Sequence, residues 1–227
     1  MCEKKTIEAR WRRLWAAHKA DLPALTIATA RELVRDCPDC GPAWKILGEA
    51  LVEMARHTDA EQALKQAISL CPPDKVWIPL CQMGHLHRAS GDYKAAAAWY
   101  RRAIDRMPDE ASGHIHLGGV LARSGRLKEA EMAHRAAIRC THGRRDEAYL
   151  NLGLVLRAQE RHDEAAICFE QALKLDPNYA EAQKALRDMR KTMRFSKQLR
   201  TDATLPKPCS RTAELHSGSP SADLAAL

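Results

Sequence analysis

Cys37-Pro38-Asp39-Cys40 places two thiols at the spacing used by redox pairs and by half of a zinc site. A redox pair needs a thiol at a helix N-terminus, where the dipole lowers its pKa. Here a helical pattern closes at Cys37, and only Cys40 stands near the start of the next one. No second matched pair follows, as a structural zinc site would require. His85-x-His87 and His114-x-His116 are the next candidates. Residues two apart on a helix point to different faces, so neither pair chelates one ion. Cys81 and His85 do share a face, with His116 in reach from the following segment, but such a trio lacks a convergent ligand set and its supporting shell. His87, His114 and His134 fall at packing positions and are expected in the core. There is no G-x-S-x-G, phosphate loop or dinucleotide fingerprint, and carboxylates are spread over helix surfaces with no pocket to pair them. The expectation is therefore no catalytic residue, no metal and no cofactor.

The elements that carry these residues are helices. The chain has 227 residues, 45% hydrophobic and 29% charged, with an aromatic share of only 5%. Abundant alanine and few bulky β-formers favour packed helices over sheets. No run of eighteen apolar residues exists, so no membrane span is expected. The start, Met1-Cys2-Glu3-Lys4-Lys5, reads as neither a secretory signal nor a myristoylation site. A cytoplasmic location is expected, with the eight cysteines held as thiols. The net charge of +7 is uneven: from Arg190 onward seven Lys/Arg face three Asp/Glu, leaving a net +4 in the tail. The remaining +3 over the helical body does not argue for nucleic acid.

Laid against itself, the chain repeats. Gly48, Gly84, Gly118 and Gly153 are spaced 36, 34 and 35 residues apart, and the same pattern surrounds each. One unit reads Trp44, Leu47-Gly48, Leu51, Ala60, Leu64, Ala67 and Pro72. The next reads Leu80, Met83-Gly84, His87, Ala96, Tyr100, Ala103 and Pro108. The third is His114, Leu117-Gly118, Leu121, Ala130, His134 and Ala137, with His142 where proline is expected. The fourth is Tyr149, Leu152-Gly153, Leu156, Ala165, Phe169, Ala172 and Pro177. Apolar residues three and four apart give each first helix one core stripe. The glycine and the alanine twelve residues later leave room for a close crossing. The large residue four further on fills the gap toward the next unit, and proline ends the second helix.

This pattern resembles the tetratricopeptide-repeat (TPR) family almost residue for residue. The fold expected from it is all-α, a right-handed α-solenoid of about five helix-turn-helix units plus a C-terminal capping helix. A degenerate first unit is expected over 6–40, with Leu14 in place of the glycine and Arg10 in place of the aromatic. Full units follow over 41–74, 77–110, 111–144 and 146–179. A capping helix over 180–198 carries Ala182, Leu186 and Met189, and a disordered tail over 199–227 is rich in Ser, Thr, Pro and Ala.

The resemblance also implies a function. In the family the first helix of each unit lines a concave groove, and set positions of that helix point into it. The sixth position here holds Gln82, His116 and Asn151 in consecutive units. This is similar to the asparagine ladder with which some members hold the backbone of an extended peptide. The twelfth or thirteenth position supplies Arg88, Arg123 and Arg157, a line of guanidinium groups suited to carboxylates or phosphates. His85 and Lys45 join the same face. Lys45 fits one place in the two-carboxylate clamp of chaperone-tail receptors, but Glu49 stands where that clamp wants asparagine. Trp11, Trp15, Ile78, Ile115, Leu150 and Leu154 offer a partly apolar floor, although the two tryptophans equally suit the core of the first unit. The expected function is a non-enzymatic scaffold for protein–protein interaction that binds an extended, acidic peptide segment of an unidentified protein. The alternatives are a detached regulatory or substrate-recruiting arm of an enzyme or secretion complex, and nucleic-acid binding through the tail and Arg12-Arg13, Arg101-Arg102 and Arg144-Arg145. Those arginine pairs occupy different places in their units and need not form one stripe.

Overall fold

The computed structural model describes residues 2–203, with side chains described over 6–195. In chain order the helices are α1 (Cys2–Lys19), α2 (Pro23–Asp36), α3 (Gly41–Glu53), α4 (His57–Leu70), α5 (Trp77–Ala89), α6 (Tyr93–Arg106), α7 (Ala111–Arg123), α8 (Leu127–Arg139), α9 (Arg145–Ala158), α10 (His162–Leu175) and α11 (Ala180–Ala203). Among the described residues there is no strand, only one isolated bridge between Glu110 and His142. The chain is thus an all-α solenoid, and the packing described below lies within residues 1–190, one compact unit. Helix α11 runs on to Ala203, into the stretch read as tail; the rest of that tail lies outside the described residues.

Each of the four pairs from α3–α4 to α9–α10 closes on its glycine. A methyl group added to Gly48 would stand 2.5 Å from the Leu64 side chain. At Gly84 it would meet the Tyr100 ring at 2.4 Å, at Gly118 the His134 ring at 2.5 Å, and at Gly153 the Phe169 ring at 2.5 Å. Side chains sixteen residues downstream therefore lie directly on the bare backbone of their own unit, and Leu64, Tyr100, His134 and Phe169 are all buried. This refines the expectation that these side chains mainly reach toward the next unit. Tyr100 does both, since its ring also sits 5.5 Å from that of His116 on α7.

All five first helices end in the same way. Asp21, Ala55, Gly91, Gly125 and Glu160 have left-handed backbone conformations, with φ between 53° and 82°. The next residue's N–H reaches back to the carbonyl five residues earlier: Leu22 to Ala17, Arg56 to Leu51, Asp92 to His87, Arg126 to Leu121 and Arg161 to Leu156. That is the Schellman closure, which favours glycine at its left-handed residue. Only two of the five have it; in the other three the helix ends impose the conformation on residues that resist it.

The joints between units recur too. In α3, α7 and α11 the fourth residue bonds the carbonyl of the proline six positions before it, as Trp44 Nε1 donates to Pro38 at 2.7 Å. His114 Nε2 lies 3.2 Å from the Pro108 oxygen, and in α11 Gln183 donates to Pro177 at 2.8 Å. His114 is thus half-buried at a joint and not in the core, because this position faces the preceding turn. His87 is also half-buried, its ring stacked on that of Trp99 at the edge of the core. In the first unit Leu14 is fully buried and Trp11 packs partly beside it, whereas Trp15 stays 47% exposed. Arg10, at the aromatic position, pairs with Asp36.

First helices of successive units pack on one another, α3 with α5, α5 with α7 and α7 with α9. Second helices pack chiefly on their own partner and on the next unit's first helix. The first helices therefore form the tighter, inner line, which curves the stack toward that face.

Two helical glycines on α7 separate packing from propensity. Gly118→Ala drives a methyl into the His134 ring and should lower stability by about 1–2 kcal/mol, despite alanine's helix preference. Its neighbour Gly119 has nothing within 4 Å of an added methyl, so Gly119→Ala should raise stability by about 1 kcal/mol. Denaturant midpoints of the two variants should move in opposite directions, and parallel shifts would refute the assigned register. Glu160→Gly should likewise gain about 1 kcal/mol by relieving its left-handed backbone.

Candidate functional site

The inner helices supply two adjoining cavities. One, of about 380 Å³, is walled by Glu49, Glu53, Trp77, Gln82, His85 and Arg88, with His116 at its far side. The other, of about 530 Å³, is walled by Arg88, His116, Arg123, Glu147, Asn151 and Leu154. Arg88 and His116 belong to both. Helices α3, α5, α7 and α9 position these side chains on one face because they lie side by side on the inner line.

The expected ladder is not made of three equal rungs. Gln82 is only 9% exposed, and its Nε2 donates to Glu49 Oε2 at 3.0 Å. Packing of adjacent first helices brings the ninth residue of one unit beside the sixth of the next, a relation invisible within a single repeat. Gln82 Oε1 is buried without a partner. His116 is half-buried, with its ring edge-on to His85 at 4.5 Å and 5.5 Å from Tyr100. Asn151 alone stands on the cavity wall with no partner for its amide among the described residues.

Burial decides the charge of the histidines. It lowers His85 to about 3, helped by the nearby His116 and Arg88. His116 falls to about 4 through burial and the Arg88 charge. Both are neutral near pH 7, so they contribute polar rings and no positive charge. Cys81 beside them is pushed up to about 12 by burial and is therefore a protonated thiol. Among the described residues no group of three or more His, Cys, Asp or Glu is arranged to hold a metal.

The inner arginines are different. Arg88, Arg123 and Arg157 are exposed, and among the described residues no carboxylate pairs with them. Arg157 lines neither inner cavity. Lys45 lines a third, smaller cavity with Pro42, Lys75 and Ile78, at the edge of the inner face. Ile78, Ile115 and Leu154 contribute to the cavity walls as anticipated, while Leu150 is buried. The arginine doublets are dispersed: Arg12 pairs with Glu8, Arg102 lies over Trp99, and Arg144 pairs with Asp146.

Two groups lie outside the sequence expectations. Glu131 is 6% exposed, not on the surface. Arg161 Nη1 holds both its oxygens at 2.8 Å, and Arg135 pairs with it from one turn away. Burial opposes its charge, but the hydrogen bond from Arg161 prevails and keeps the carboxyl below its ordinary range. The i, i+4 spacing to Arg135 is legible in sequence, whereas the Arg161 contact crosses between units. Cys37 caps the end of α2 and Cys40 the start of α3; both are thiols. Burial raises the Cys40 pKa, the reverse of what an activated thiol needs.

Family models for the tetratricopeptide repeat match residues 42–74, 81–144 and 146–179, together more than half of the chain. The chain belongs to the tetratricopeptide-repeat family, whose repeats are scaffolds for protein–protein interaction. Among curated proteins it is similar to "Protein O-mannosyl-transferase TMTC1" of Homo sapiens, 29% identical over 131 residues. That match takes in 58% of this chain and spans only 14% of the relative. Among solved structures, TTC0263, a thermophilic TPR protein of Thermus thermophilus, superposes with a TM-score of 0.64 at 15% identity, covering 81% of this chain and 98% of that one. YrrB, described as a TPR protein with an unusual peptide-binding site, gives 0.56 at 16% identity over 82% and 98%. No helix among the described residues is long and apolar enough to cross a membrane.

The buried histidines set a pH dependence. His134, 1% exposed under Gly118, is lowered by burial to about 4 in the folded chain, against 6.5 unfolded. Below about 6.5 the unfolded chain takes up protons that the folded chain refuses, so stability must fall as pH falls from 6.5 toward 4. His134→Phe removes one such proton and should flatten the slope by about 1.4 kcal/mol per pH unit in that window. Chemical denaturation at pH 7, 6 and 5 measures it; equal slopes in both proteins would contradict a buried neutral His134.

Proposed function

We propose that this chain is a non-catalytic cytoplasmic module that binds an extended segment of another protein along the inner face of α3, α5, α7 and α9. The observation that carries this reading is the pair of adjoining cavities, continuous through Arg88 and His116, whose walls offer unpaired hydrogen-bonding and cationic groups. Asn151 is free to donate to and accept from a peptide backbone, which gives affinity without demanding one sequence. Gln82, with its amide bonded to Glu49 and its Oε1 buried, shapes the wall, and His85 and His116 act as neutral polar rings. Arg88 and Arg123 receive acidic groups of the segment, with Arg157 and Lys45 at the margins of the path. The family and the peptide-binding description of YrrB support the same reading.

A second reading, a recruiting arm within a larger assembly, is favoured by one fact: the curated relative matches over only a small part of its length. Copurification with one large enzyme would favour it.

Selection of a random-peptide library on the full chain, followed by titration of the selected peptides, tests the groove. Asn151→Ala should weaken all of them by about 0.5–1.5 kcal/mol, the net worth of one neutral hydrogen bond. Arg123→Ala should penalise acidic peptides selectively, with a loss that shrinks as salt is raised. Unchanged affinity in both variants, with helical content intact, would place the binding surface elsewhere.

A further inference from the structure

The joint between the first two units holds two thiols that the groove does not use. Cys37 caps the end of α2, and its N–H bonds the Leu33 carbonyl at 2.8 Å. Three residues on, Cys40 caps the start of α3, and its N–H returns to the Cys37 carbonyl at 3.1 Å. Cys37 to Cys40 is therefore a hydrogen-bonded turn, with Pro38 at the second position that proline's fixed φ suits. The Trp44 indole holds the turn from outside through the Pro38 carbonyl. Such a turn keeps its end Cα atoms within about 7 Å of each other, the upper reach of a disulfide. The thiols are neighbours as well: the charge of Cys37 adds to burial in raising the Cys40 pKa. Both residues are half-buried, open to a small reagent. Cys71 stands at the same place one unit later, before Pro72, but Asp74 occupies the position of the second thiol. The pairing thus belongs to this joint and not to the repeat.

We infer that Cys37 and Cys40 form a reversible dithiol–disulfide pair, oxidised by a small-molecule disulfide such as oxidised glutathione. One protein thiol, as its thiolate, attacks a sulfur of the small disulfide; that S–S bond breaks and one small thiol leaves with the proton. The other protein thiol then attacks the protein-bound sulfur of the mixed disulfide. This closes the Cys37–Cys40 bond and expels the second small thiol with the remaining proton. Two protein thiols are oxidised, and one small disulfide is reduced to two thiols. The raised pKa keeps Cys40 a slow nucleophile at neutral pH, so the pair follows a sustained oxidising poise and does not catalyse exchange in other proteins. Oxidation adds a covalent tie between the end of α2 and the start of α3, fixing the first unit on the second. The pair stands independently of the groove reading.

Mass spectrometry of the full chain tests the pair. The protein is equilibrated with mixtures of reduced and oxidised glutathione, quenched with acid, alkylated and digested with trypsin. Cleavage after Arg35 and Lys45 puts both thiols, and no other cysteine, in one peptide over 36–45. From oxidising mixtures this peptide should return two hydrogens lighter and without alkyl groups; from reducing mixtures it should return doubly alkylated. The mixture at half-conversion gives the equilibrium constant for closing the bond. That constant should be about tenfold larger in the folded chain than in guanidinium, within the range by which a well-matched disulfide favours the folded state. Cys37→Ser and Cys40→Ser cannot close the ring, and at least one should retain glutathione on its remaining thiol, identifying the attacking residue. A wild-type peptide that carries glutathione or alkyl groups at every ratio would overturn the inference. So would equal constants in the folded and unfolded chain, or the lack of an adduct in both variants.

Discussion

The whole array depends on one contact made four times: a side chain of the second helix pressed onto a glycine of the first. It sets how near the two helices approach, and through that distance the place of every inner-face residue. Leucine, tyrosine, histidine and phenylalanine all fill the role, so volume over bare backbone matters more than chemistry. Two of these choices carry a cost. Tyr100 buries its hydroxyl and His134 its Nδ1 without partners, each a loss of about 1–3 kcal/mol. A hydrocarbon side chain would have avoided that cost, and nothing else in the structure explains the preference.

The inner face is polar without being uniformly basic. Repeat spacing puts Gln82, His116 and Asn151 in one register and Arg88, Arg123 and Arg157 in another. What each side chain is free to do depends on its neighbour in the next unit. Contact with Glu49 takes up the Gln82 amide, and mutual packing with His85 and Tyr100 leaves His116 neutral. The polarity of the groove thus emerges from the stacking of units and not from any one repeat.

The same distinction explains how much is legible in sequence. Gly48, Gly84, Gly118 and Gly153, with their downstream partners, announce the solenoid because local periodicity and close crossing leave a direct mark in residue type. The Schellman closures at Ala55 and Glu160 leave no such mark, since alanine and glutamate are not residues that signal a left-handed backbone. His114 misleads because its column also holds Trp44, which looks like core but spends its indole N–H on a joint carbonyl. The buried Glu131 escapes notice because its partner Arg161 lies thirty residues away in the next unit. Contacts within one repeat can be read from a single line of sequence; contacts between repeats require the inter-unit geometry.

One joint departs from the rest. Beyond α8, where proline is missing, Thr141 donates its N–H to Asp109 Oδ1 at 2.9 Å. The chain then exchanges backbone bonds with the preceding joint, His142 N–H to Asp109 and Ala111 N–H to the His142 carbonyl. Two successive joints, otherwise related only through the helices between them, are thereby fastened along a second line. A body held along two separate lines loses the rotation that a single hinge permits. Helix α7, which starts at this fastening, contributes to both cavities. The stack should consequently bend more easily toward its amino-terminal units than between α7 and α9, so that a ligand meets one stiff jaw and one compliant one.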